Sequence, residues 1–110
     1  MAGFVLINEN NFDEQVLQSI TPVLLEFGAV WCKPCKNIET ILSRLAQGWG
    51  SKLRMAKLDV DECPDLAIRY GVMSVPSVLF FIDGELKERL IGLTSEEKIS
   101  KTINPYLKIN

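Results

Sequence analysis

Phe27-Gly28-Ala29-Val30-Trp31-Cys32-Lys33-Pro34-Cys35-Lys36 is the stretch on which the reading of this chain turns. It begins at the end of an apolar run, Val23-Leu24-Leu25-Glu26-Phe27, and such a run within Pro22 to Phe27 suits a strand buried on both faces. It leads into Ile38, Ile41, Leu42, Leu45, Ala46 and Trp49, which fall at helical spacing from Pro34 until Gly48 and Gly50 end the run. The two cysteines therefore stand where a buried strand hands over to a helix. Residues three apart share a helix face, with Cβ atoms about 5–6 Å apart, close to what a disulfide tolerates. Cys32 is expected in the exposed first turn, where unpaired N–H groups and the positive helix end stabilise a thiolate. Side chains lean toward a helix N-terminus, so Cys35 is expected under the preceding turn. Pro34 fits, because the first turn does not use its N–H.

The rest of the chain alternates strand and helix signals around this junction. Phe4 to Ile7 reads as a short strand, and Asn11 with Glu14 as a capping box opening a helix with Phe12, Val16 and Ile20 as its stripe. Lys52 to Val60 reads as a strand, and Pro64 and Gly71 bracket a short helix. Ser77 to Ile82 is strongly β-forming, and Asp83-Gly84 signals a hairpin into Glu85 to Ile91. Thr94-Ser95-Glu96-Glu97 offers a second capping box before a helix with Ile99, Ile103 and Leu107, and Pro105 lies near its end. The order β-α-β-α-β-α-β-β-α predicts an α/β fold with a mixed sheet and helices on both faces.

Composition narrows the function. The 110 residues suit one domain, 1–110, and at 47% hydrophobic they can form a core without metal or disulfide staples. Twelve basic residues are scattered among fourteen acidic ones, for a net charge of -2, which disfavours nucleic acid as a partner. No run approaches the roughly 20 apolar residues of a membrane span, and the start lacks the basic flank and apolar length of a secretory signal. The expectation is a cytoplasmic protein with no membrane partner. Three cysteines and no histidine do not make a disulfide scaffold, and in a reducing compartment a close pair is catalytic or metal-binding. Structural zinc takes four ligands and only Cys63 remains to help the pair, so no metal is expected. Cys63 itself reads as a small half-buried residue at a helix start.

Trp31-Cys32-Lys33-Pro34-Cys35-Lys36 closely resembles the W-C-G-P-C-K active site of the thioredoxin family. The resemblance continues through Leu24-Glu26-Phe27, Ala56 to Asp61, Tyr70-Gly71-Val72, Val75-Pro76-Ser77 and Phe81 to Glu85 as far as Gly92, and so covers essentially the whole chain. It implies the thioredoxin fold, a three-layer sandwich with a central mixed five-stranded sheet flanked by four helices. It implies a protein-disulfide reductase in which Cys32 is the nucleophile, Cys35 the resolving thiol and Cys32–Cys35 the redox disulfide. By the same resemblance no cofactor is bound. A separate reductase, in the family usually an NADPH-dependent flavoprotein, regenerates the dithiol, and the partners are that reductase and disulfide-containing proteins. A monomer is expected.

Around the cysteines, Glu26 interrupts an apolar strand, where a lone carboxylate must be neutral, paired or functional. The family usually carries Asp here, and the resemblance makes Glu26 the proton acceptor for Cys35, through a water, with Lys57 tuning it. A purely structural Glu26–Lys57 pair is the alternative. An X–Pro bond is ordinarily trans, but the resemblance implies a cis Val75–Pro76 bond that bares the backbone for an extended substrate. Trp31, Lys33, Pro34, Val75, Pro76, Ile91 and Gly92 are the substrate-binding candidates. Lys33 replaces the family's glycine. Its charge, about 6 Å from a Cys32 thiolate, contributes only ~0.7 kcal/mol in water. Gly28 stands where the family often has Trp, opening the pocket beside Trp31. Lys36, Asp59, Asp61 and Glu62 read as solvated surface. A disulfide oxidase or isomerase of the same fold, and a non-enzymatic docking module, are the rival functions.

Overall fold

Alternation along the second strand divides the molecule into layers. In the computed structural model, which describes residues 3–108, the strands are β1 (Val5–Leu6), β2 (Val23–Gly28), β3 (Arg54–Asp59), β4 (Ser77–Ile82) and β5 (Glu85–Ile91). They form one sheet in the order β1-β3-β2-β4-β5. β3 is parallel to β1 and β2, whereas β4 is antiparallel to β2 and β5. Every residue of β2 is buried. Val23, Leu25 and Phe27 point to one face and join Phe12, Val16, Leu66 and Phe81 there. Leu24 points to the other and joins Ile38, Leu42, Phe80, Ile99 and Ile103. Helices α1 (Lys33–Trp49) and α3 (Glu96–Leu107) therefore cover one face, and α2 (Pro64–Arg69) with a π-helical turn at Asp13–Leu17 covers the other. The mixed five-stranded sheet and four helical segments match the expected fold. By the same alternation Glu26 and Gly28 lie on the α1 face, and β2 delivers its last residue, Gly28, to the approach of α1.

Local chemistry moved several boundaries. Asn11 does not cap a helix with Glu14. Its Oδ1 accepts the Asn8 amide (2.8 Å), while Asn8 Oδ1 accepts the amides of Asn10 and Asn11, so the two side chains close a turn instead. The helical segment shrinks to one π turn, and Ile20, expected on its apolar stripe, is 95% exposed. Gly48 continues α1. Gly50, at φ 57, ends it, and the next residues form a 3₁₀ turn where Lys52 was expected to start a strand. At α3 the cap is Ser95, whose hydroxyl accepts the Lys98 amide at 3.1 Å, one residue later than Thr94.

The β4–β5 hairpin closes through two residues in left-handed conformation, Asp83 (φ 52) and Gly84 (φ 80), with Ile82 paired to Glu85. A Cβ on Gly84 would stand 2.7 Å from the Leu17 carbonyl oxygen, a backbone atom that cannot move aside cheaply. Gly84→Ala is therefore expected to destabilise by about 2–4 kcal/mol, strain and overpacking together. Gly71→Ala, at φ 65 but in open space, meets only the strain. Urea unfolding of both variants checks this, and equal losses would exclude the contact with Leu17.

Candidate active site

The cysteine pair sits where β2, after a short loop, gives way to α1. Cys32 is the N-cap of α1, with extended backbone (φ -87, ψ 107), and its sulfur accepts the Cys35 amide at 3.1 Å. Cys32 and Cys35 are joined in a disulfide, with Cα atoms 5.3 Å apart. Pro34 lies in the first turn, where no N–H is needed. Cys35 is buried as expected, but so is Cys32, at 2% exposure, and the expectation of an exposed residue needs correcting. The N-cap side chain folds back over the first turn to bond a sulfur that is itself inside, and this turns Cys32 inward. Its neighbours Trp31, Lys33 and Pro34 are exposed, so the disulfide lies just beneath the surface.

Two further segments flank this helix start. Phe27 pairs with Ser77, which places the preceding Val75–Pro76 bond beside the C-terminal end of β2. That bond is cis, and the Pro76 carbonyl accepts the Gly92 amide at 2.8 Å, tying Gly92 to it. Trp31 and Val75 face one shallow cavity of about 150 Å³, with Val60, Val72, Met73 and Ser74 completing it. Trp31 is held there by Asp61, whose carboxylate accepts its indole N–H at 2.8 Å. Asp61 thus positions the indole, a role its place in an acidic run did not disclose. Ile91, Leu93 and Met73 are exposed apolar side chains on neighbouring segments.

Behind the disulfide lies a cluster of charged groups. Glu26 is fully buried, and neither carboxyl oxygen has a hydrogen-bond partner among the described residues. Gly28 determines where its tip can reach: a Cβ at Gly28 would strike Glu26 Oε2 and stand 3.3 Å from Cys35 Sγ. The carboxyl and the sulfur therefore border the same methyl-sized space. Glu26 pairs in register with Lys57 on β3, yet the Lys57 ammonium bonds Glu39 on α1 at 3.4 Å. The alternative of a direct Glu26–Lys57 pair is not met: the Lys57 ammonium forms its ion pair with Glu39 on α1 instead. Burial, followed by the facing Glu39 carboxylate, pushes the Glu26 carboxyl up to about 9, against the opposing pull of Lys57 and Lys36. A cavity of about 230 Å³ is lined by Glu26, Gly28, Lys36, Glu39, Lys57, Asp59 and Glu62 among others. Lys36, Asp59 and Glu62 thus face Glu26's surroundings in addition to solvent. Glu39 was missed in the sequence. Its one signal was the four-residue step from Cys35, which puts both on one helix face.

Cys63 lies apart, buried, with its sulfur 3.9 Å from the Ile7 carbonyl oxygen. Burial, then the acidic side chains of Glu9, Glu62 and Asp59, push its thiol up. Among the described residues no three metal-ligating side chains come together, and no helix is long and apolar enough to cross a membrane.

A mixed sheet that delivers a cysteine pair to the start of a long helix, beside a cis-proline segment, defines the thioredoxin-fold class. The thioredoxin family model matches residues 3–105, and the chain belongs to the thioredoxin family. It is 40% identical over 102 residues to the chloroplastic M-type thioredoxin of Pisum sativum, covering 93% of this chain and 59% of that protein. It is 38% identical over 103 residues to the chloroplastic M-type thioredoxin of Triticum aestivum (94% and 59%). With chloroplastic thioredoxin M4 of Arabidopsis thaliana it shares 41% over 101 residues (92% and 52%). The chain thus spans under two thirds of the length of these relatives. Their chloroplastic designation overturns the expectation of a cytoplasmic protein, which rested only on the lack of a leader-like stretch at the start of the sequence.

Proposed function

We propose that the chain, as one domain over residues 1–110, is a protein-disulfide reductase working by dithiol–disulfide exchange. The observation that carries this reading is the Cys32 sulfur, held at the α1 N-cap on the Cys35 amide and bonded to Cys35. An amide aimed at that sulfur favours negative charge on it, and so favours Cys32 as the attacking and departing thiolate. In the reduced protein Cys32 attacks one sulfur of a target disulfide, forming a mixed disulfide and releasing the first target thiolate. Cys35 then gives its proton to Glu26 and attacks Cys32, releasing the second target thiolate, which takes up a proton. Regeneration runs the other way. A reductant's thiolate attacks Cys32, Cys35 departs taking the proton that Glu26 holds, and the reductant's second thiol then displaces Cys32, so that the reductant leaves as a disulfide.

A carboxyl raised to about 9 lies close to the ordinary thiol value of about 8.5, so neither direction of that transfer is steeply uphill. Glu26 is thus proton acceptor in one half-cycle and donor in the other, and Lys57 acts on it electrostatically. Both reducing electrons reside in the thiols, so the chemistry calls for no bound cofactor. The supplier is a separate reductase, an NADPH-dependent flavoprotein by family resemblance. Extended disulfide-bearing segments of target proteins would lie over Trp31, Lys33, Pro34, Val75, Pro76, Ile91 and Gly92, pairing with the Val75 backbone.

The test uses insulin. With dithiothreitol as reductant, the wild-type protein should accelerate precipitation of the insulin B chain. Cys35→Ser should instead accumulate as a covalent adduct that mass spectrometry detects and excess thiol dissolves. A wild-type protein giving no acceleration over dithiothreitol alone would end this reading.

A further inference from the structure

The cavity behind the disulfide holds one feature that the cycle above does not use. Glu39 faces it from α1, one helical turn beyond Cys35, and takes the ammonium of Lys57 at 3.4 Å. Lys57 is the cation in register with Glu26, so Glu39 occupies the partner that Glu26 would otherwise have. Glu26 is left with neither oxygen bonded. The charged groups facing this space are Lys36 and Glu39 from α1, Lys57 and Asp59 from β3, and Glu62 from the segment before α2. Of these, Glu39 and Lys57 are the two whose charged ends meet. A second carboxylate facing the same cavity opposes ionisation of the first, and this one also diverts the neutralising cation.

We propose that Glu39 is a positioning residue for proton transfer, keeping the proton on Glu26 while Cys32 and Cys35 are bonded so that it is ready for Cys35 when the disulfide opens. The role rests on the disulfide-exchange reading, but its primary readout does not. In the oxidised protein the proton stays on Glu26 at neutral pH. Once Cys35 has taken it, Glu26 is left as the carboxylate that accepts the Cys35 proton in the next round of exchange. Proton and charge balance without any further reactant.

The experiment follows the Glu26 carboxyl carbon by NMR in the oxidised full chain, the signal being assigned by its loss in Glu26→Gln. Glu39→Gln removes the opposing charge and frees Lys57. The Glu26 midpoint should fall by at least one pH unit, a tenfold gain in acidity, while Glu39→Asp, which keeps the charge, should recover at least half of that shift. The pH profile for opening the disulfide with dithiothreitol should move down alongside it in Glu39→Gln. Glu39 is a half-buried helix-surface residue, so both variants should fold, and thermal unfolding confirms it. A Glu26 midpoint within 0.2 pH unit of wild type in folded Glu39→Gln overturns the proposal, as does an upward shift. Failure of the insulin assay would sink disulfide reduction while leaving this titration intact, so the two can fail separately.

Discussion

Glu26→Leu is expected to raise the unfolding free energy by roughly 3 kcal/mol at pH 7, with most of the gain absent at pH 4. The native protein holds this carboxyl neutral up to about 9, whereas its ordinary value is 4.5. Between those limits the native state binds a proton that the unfolded chain has released. Wild-type stability therefore falls as pH rises through that window, by about 1.4 kcal/mol per pH unit, and levels off above it. At pH 7 the linked loss is about 3 kcal/mol. Leucine removes this cost at similar volume. Denaturant unfolding of wild type and variant at pH 4, 7 and 8.5 measures the difference. A gap that stays constant with pH would mean that Glu26 is ionised in the native protein. The stabilised variant should reopen its disulfide more slowly, since Cys35 would leave with no proton beside it.

Features carried by neighbouring residues were legible in the sequence, and features made by distant ones were not. The Asp83-Gly84 hairpin and the placement of Cys32 and Cys35 at a helix start depend on a few consecutive residues, and the structure has both. Glu26 stood out because a carboxylate in Val23–Phe27 has no neighbour to justify it. Its actual surroundings were hidden. That Lys57 would bond Glu39 depends on how α1 packs on the sheet, which no local pattern around either residue records. The first helix failed for a local reason with a nonlocal rival: Asn8 and Asn11 satisfy each other, and Asn11 Nδ2 also donates to the Leu6 carbonyl at 2.9 Å, anchoring the turn to β1. The cis Val75–Pro76 bond came from family resemblance alone, as no property of the dipeptide requires it. Burial of Cys32 was unreadable because helix geometry says which face a residue takes but not how far an N-cap side chain folds inward.

Cys32→Ser should cut the rate of insulin reduction by about a thousandfold or more, to the level of dithiothreitol alone. The hydroxyl that replaces the sulfur can still accept the Cys35 amide, so the cap and the fold survive and the loss is chemical. An alcohol is neither ionised near neutrality nor able to form and break a bond to sulfur. The remaining thiols cannot substitute. Cys35 is buried at 1% exposure beneath the first turn, and Cys63 is buried with its thiol held up by desolvation and by Glu9, Glu62 and Asp59. Both positions disfavour a thiolate that can meet a target. Cys32 is also buried in the disulfide form, but it alone combines an amide aimed at its sulfur with exposed neighbours on either side, Trp31 and Lys33. Reduction breaks the bond that draws it inward, and an alkylating reagent should then modify Cys32 much faster than Cys35 or Cys63, as peptide mapping would show. Were Cys35 modified first, or were Cys32→Ser to retain a tenth of the wild-type rate, the roles of the two sulfurs would have to be exchanged.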